Sequence, residues 1–102
     1  MYLLSVKPST RKDKKYMATF CLCDKKNACG GTNHKVVHFG QKGYEDYTTH
    51  GDTDRRDNYR KRHKVYLTDD PTTPAQLSWD ILWGDSKSLR ENVEAYRKKH
   101  KL

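Results

Sequence analysis

Tyr16-Met17-Ala18-Thr19-Phe20-Cys21-Leu22-Cys23 is the stretch whose reading decides the fold. Large apolar side chains alternate there with small or polar ones, which is the two-residue period of a strand with one buried face. Phe20 and Leu22 are expected to point one way, and Thr19, Cys21 and Cys23 the other. Downstream, Asp24-Lys25-Lys26-Asn27-Ala28-Cys29-Gly30-Gly31-Thr32-Asn33 is turn chemistry, because Gly and Asn tolerate positive φ. Lys35-Val36-Val37-His38-Phe39 then resumes a strand. The two runs form a β-hairpin with a long loop over 24–34, and residues 2–7 read as a strand preceding it.

Beyond the hairpin the period changes. Residues 40–52 read as irregular, with Tyr44 and Tyr47 folding back as anchors. A helix is expected from Asp52 or Thr53 through Lys64, with Asp54 favoured in its first turn and Tyr59, His63 and Tyr66 as its buried stripe. Thr73-Pro74-Ala75-Gln76 starts another: Thr73 is the N-cap, Pro74 takes the first helical position, Gln76 closes a capping box, and Gly84 ends the helix after Trp83. Ser88-Leu89-Arg90-Glu91 is a further capping box. It opens a helix with Leu89, Val93 and Tyr96 on one face and Arg97, Lys98, Lys99 and Lys101 at the end where cations suit the dipole. The predicted architecture is one α+β domain over 1–102: a small antiparallel hairpin or sheet in a β-rich part, 1–40, followed by three α-helices in a helical part, 41–102.

Leu, Ile, Val and Phe number 16 in 102 residues, a share at which high net charge argues for disorder. Seven Tyr and two Trp offset this, since aromatic rings bury large areas while their polar tips reach water. The expectation is a thin, aromatic-rich core. No apolar run approaches a spanning helix, and Met1-Tyr2-Leu3-Leu4-Ser5 lacks the features of a signal peptide, so the protein is read as not secreted. Three clustered cysteines fit reduced thiols or a metal better than a disulfide frame.

The net charge of +8 is uneven. From Val65 to Ser86 there are four Asp and no Lys or Arg, which leaves +12 on the rest of the chain. Six of the ten residues from Arg55 to Lys64 are basic, and with Tyr59 and His63 turned inward, Arg55, Arg56, Arg60, Lys61, Arg62 and Lys64 are expected on the outer arc. Lys7, Arg11, Lys12, Lys14, Lys15 and the C-terminal run extend this patch. Arginine forks and lysine point charges suit a phosphate backbone or an acidic protein surface. A purely solubilising face is the plain alternative. Nothing in the sequence indicates base-specific readout.

Three further constellations are weaker. Cys21, Cys23, Cys29 and either His34 or His38 offer a zinc ligand set, but Cys-x-Cys on a strand holds its thiols too far apart for the usual convergence; the expected cofactor is none. His38 on a hairpin strand, with Asn58 and His63 on a following helix, loosely resembles a ββα-metal nuclease, without the partner such a general base needs. Trp79 and Trp83, at i and i+4, are either core alone or core plus a docking surface for a partner.

The stretches Arg11 to Phe20, Val36-Val37-His38-Phe39-Gly40, Lys42-Gly43-Tyr44-Glu45-Asp46-Tyr47-Thr48-Thr49-His50, Tyr59-Arg60-Lys61-Arg62-His63 and Leu77-Ser78-Trp79-Asp80-Ile81-Leu82-Trp83 resemble a family of small basic proteins of unassigned function encoded by large DNA viruses of algae and protists. Cys29 and the Gly-Gly step depart from that pattern. The resemblance implies a viral origin and brings no catalytic residue with it. The expectation is a non-enzymatic, virion-associated structural component, such as a minor capsid or core protein, that bridges acidic neighbours and viral DNA. Its place would be the virion or the host cytoplasm or nucleus. The alternative is a sequence-nonspecific nucleic-acid-binding protein of the infected cell.

Overall fold

The structure is a computed structural model that describes residues 1–22, 34–67 and 70–102. Three strands, β1 (Tyr2–Pro8), β2 (Lys14–Cys21) and β3 (His34–Gln41), form an antiparallel sheet in chain order. Ala18 stands between Val6 and Val37, Phe20 pairs with Leu3, and Tyr16 pairs with Phe39, so one face carries the apolar row. The register shifts between Leu3 and Ser5. One extra residue there is what lets Leu3 and Val6 share that face despite being three apart. Arg97 serves the same irregularity, donating from Nε to the Leu3 carbonyl at 3.1 Å.

The strand expectation held for Phe20, which is fully buried with Ala18, and failed for Leu22. The ladder stops at Cys21, and Leu22 lies beyond it, 49 % exposed. Most of the expected hairpin loop, with Cys23 and Cys29, lies outside the described residues.

Among the described residues four α-helices follow: α1 (Tyr47–His50), α2 (Thr53–His63), α3 (Pro74–Leu77) and α4 (Leu89–His100). The first was not expected. Asp46 caps it through a capping box with Thr49, and Gly51 closes it in the left-handed region at φ 65°. Tyr47 is buried, as expected of an anchor, but Tyr44 is 67 % exposed. Asp52 caps α2 by accepting from the backbone N–H of Asp54 and Arg55. A 3₁₀ turn over Lys64–Tyr66 follows α2 and leaves Tyr66 61 % exposed, so Tyr66 does not join the buried stripe.

Thr73 and Pro74 start α3 as predicted, but Gln76 does not close a box; its side chain donates instead to Asp80 Oδ2 at 2.6 Å. The helix widens at once into a π turn over Ser78–Leu82, where the Trp83 N–H reaches back to the Ser78 carbonyl. Ser88 caps α4, while Glu91 accepts from Ser86 rather than completing the expected box.

Leu77, Ile81, Leu82 and Trp83, with Val93 and Tyr96 of α4, pack on Leu3, Ala18, Phe20, Val37 and Phe39 of the sheet. This is a small α+β fold with an aromatic-rich core. Buried Asn92 fixes the link between the π turn and α4, donating to the carbonyls of Ile81 at 2.9 Å and Ser86 at 2.7 Å. No helix of the described residues is long and apolar enough to cross a membrane.

Candidate functional site

Helix α2 buries no residue completely, so something other than an apolar stripe must hold it in place. Tyr59 supplies part of the attachment, with its ring stacked on Trp83 at 4.2 Å between centroids and 5° between planes. Arginine supplies the rest. The last carbonyls of a helix lack intrahelical partners, and here the Trp83 carbonyl accepts from Arg60 Nε and Nη2 and from Arg56 Nε at 2.9–3.2 Å. Arg56 also reaches the Gly84 carbonyl at 2.8 Å and pairs with Asp85 at 2.6 Å. The Arg60 guanidinium lies 4.6 Å from the centroid of the Trp79 ring. Burial lowers the Arg60 pKa from its ordinary value, and neighbouring Arg56 adds to that.

These contacts revise the expected outer arc. Arg56 and Arg60 turn inward and act as structural clamps. Lys15 is also withdrawn, its ammonium 2.6 Å from the nearly buried Asp46 carboxylate. Arg55 and Arg11 are exposed but face the carboxylates of Glu45 and Asp13 at 2.8 Å and 3.5 Å. Lys12, Lys61, Arg62 and Lys64 are exposed, and Lys14 is half-buried, with no ion pair among the described residues.

Between α2, the β3 end and the Tyr44–Asp46 turn lies an open cleft of about 710 Å³. Its floor is Tyr59, Trp83 and Leu82; Arg55, Asn58, Arg62 and His63 wall one side, and Lys15, Gln41 and Tyr44 the other. His63 stacks on the second face of Tyr59 at 4.1 Å, and Tyr66 leans on His63 at 5.8 Å. Burial, then the positive charge of Arg62, lowers the His63 pKa. Burial pushes the Tyr59 phenol up to about 12, against the opposing pull of Arg62 and Arg60.

The other expected constellations do not assemble in this way. Phe39 points into the core, so its neighbour His38 lies on the far face of the sheet, where its Nδ1 shares a 2.7 Å hydrogen bond with Ser9 Oγ. Asn58 and His63 border the cleft on the other side, so the nuclease arrangement is not formed. Cys21 is buried and disulfide-bonded, while Cys23 and Cys29 of the expected zinc set lie outside the described residues. Trp83 is 9 % exposed and packs in the core, while Trp79 is half-buried beside Arg60. Asp80 accepts from Gln76 and Lys99 and lies 3.6 Å from His100 Nε2, so part of the acidic segment neutralises Lys99 of the chain's own C-terminal run.

The fold and cleft thus define a small α+β protein with a clamped basic helix over an aromatic floor. Residues 4–63, which hold the sheet, α1 and α2, match a family of unknown function (DUF5754), and the chain belongs to that family. No curated protein and no solved structure matches it.

Proposed function

We propose that this is a non-enzymatic basic structural protein that engages a polyanionic surface through the solvent side of α2. The observation that carries this reading is the presentation of Lys61 and Arg62 on a helix clamped by Arg56 and Arg60, with Lys64 in the turn that follows, all three exposed and without carboxylate partners among the described residues. Side chains on a fixed helix lose less freedom on binding than those of a tail, so cations held this way favour a specific seat over general solubilisation. Phosphate contacts position a protein without reading sequence, in keeping with a site that has cations but no side chain arranged for base edges. The setting implied by the viral resemblance is the virion, with acidic neighbours and viral DNA as the surfaces bridged.

Two measurements test this. Mass spectrometry of purified particles is expected to find the protein in stoichiometric amount, and its absence removes the virion role. Fluorescence anisotropy with labelled DNA is expected to show affinity falling steeply with salt, and a triple Lys61→Ala, Arg62→Ala, Lys64→Ala variant is expected to flatten that dependence. Salt-independent binding rejects the phosphate mechanism.

A further inference from the structure

We propose that the α2 cleft is a site for single-stranded nucleic acid, where Tyr44 and Tyr66 stack bases while Arg62 with Lys61 and Lys64 holds phosphates. This rests on the polyanion reading above and names its ligand.

Charge supplies the first argument. Two of the cleft's cations are matched: Lys15 faces Asp46 at 2.6 Å and Arg55 faces Glu45 at 2.8 Å. Arg62 lines the same cleft with no ion pair among the described residues. Lys61 and Lys64 flank it in the chain, both exposed. The uncompensated charge at the cleft is therefore positive.

Exposed rings supply the second. In a chain with so few core residues, Tyr44 is 67 % and Tyr66 61 % exposed. Tyr44 lines the cleft, and Tyr66 touches the cleft wall only through the tilted contact with His63. The inner ring is closed to a ligand, because Trp83 and His63 cover both faces of Tyr59 at 4.2 Å and 4.1 Å. The faces left for an incoming base belong to the rim tyrosines.

These two features separate the polyanions. A duplex presents phosphates but keeps its base faces stacked, and an acidic protein surface presents carboxylates with no flat heterocycles. A single strand presents phosphates and base faces together, and base–aromatic stacking with a basic groove is how sequence-tolerant single-strand binding works.

The test is fluorescence anisotropy on the full chain with short labelled oligo-dT and oligo-U, a mixed-sequence duplex of equal length, and poly-glutamate. Either single strand is expected to bind at least about 5-fold more tightly than the duplex, and Tyr44→Ala and Tyr66→Ala each to weaken that binding by about 5-fold or more while leaving duplex binding unchanged. Both residues are exposed, so the variants keep the fold, which circular dichroism checks. The better of the two single strands identifies DNA or RNA, and either preference supports the assignment. Duplex or poly-glutamate bound as tightly as the single strands, or tyrosine variants that bind like the parent, overturns the assignment and leaves polyanion binding standing. Failure of every probe to bind at low salt overturns both readings.

Discussion

Arg60 donates two hydrogen bonds to the Trp83 carbonyl, from Nε at 3.1 Å and Nη2 at 2.9 Å, while its guanidinium lies against Trp79. One side chain thus ties α2 to the end of the π turn. A hydrogen bond from a charged donor contributes about 1.5–3 kcal/mol, and Arg60→Ala is expected to lower stability by about 2–3 kcal/mol. Arg60→Lys is expected to recover only part of this, because an ammonium lacks the planar fork. Exposed Lys61→Ala is expected to stay within about 0.5 kcal/mol of the parent. Urea midpoints measure all three, and equal effects at Arg60 and Lys61 would show that the clamp contributes nothing.

The Lys15–Asp46 pair is largely enclosed, with side chains 16 % and 3 % exposed. Asp46 also caps α1, accepting from the Thr48 N–H at 2.9 Å. Removing one member of a buried pair strands the other, so Asp46→Ala is expected to cost about 3–5 kcal/mol. Lys15→Met combined with Asp46→Asn is expected to be less damaging than the two single changes added together. A double-mutant cycle by chemical denaturation measures this, and simple additivity would refute the coupling.

The strands were legible because a half-buried strand writes its two-residue period directly, as Ala18, Phe20, Val37 and Phe39 do. Thr73-Pro74 and Asp52 were legible as helix starts because capping is local chemistry. The clamp was not legible. Arg56 and Arg60 occur in a run of charge, and charge reads as solvated; only the orphan carbonyl of Trp83, supplied by an element more than twenty residues away, turns them inward. Their i, i+4 spacing beside Tyr59 was the available signal. The cleft depends on a similar long-range meeting, and Tyr66 was misplaced because the backbone leaves the α-helix at His63, ending the i+7 relation.

Burial holds the Tyr59 phenol protonated until about pH 12 in the folded chain, against an ordinary value of 10.0. The folded state therefore keeps this proton more tightly than the unfolded state does. The resulting stability is fully present below pH 10 and is lost as the pH rises through 12. Tyr59→Phe, which keeps the stacked ring, is expected to reduce the fall in stability over that window. Denaturation at stepped alkaline pH checks the slope, and a variant that loses stability as steeply as the parent would rule out this linkage.

Gly84, two residues past the π turn, is glycine for a steric reason. Its φ is not in the left-handed region. A Cβ built there would instead lie 2.2 Å from the Asp80 carbonyl oxygen and 2.9 Å from the Asn92 side chain. Neither neighbour can give way cheaply: the first is backbone, and Asn92 is held by the carbonyls of Ile81 and Ser86. The same site presents the Gly84 carbonyl to Arg56 at 2.8 Å, so a shift of this backbone would disturb both the α4 link and the α2 clamp. Overpacking alone typically costs about 1–3 kcal/mol, and Gly84→Ala is expected to reach at least the upper end of that range. Gly43→Ala is the control, since no atom lies within 4 Å of its added Cβ and only its φ of +92° opposes the change. If thermal denaturation places the Gly84 variant at or above the Gly43 variant in stability, close packing around Gly84 does not hold the turn.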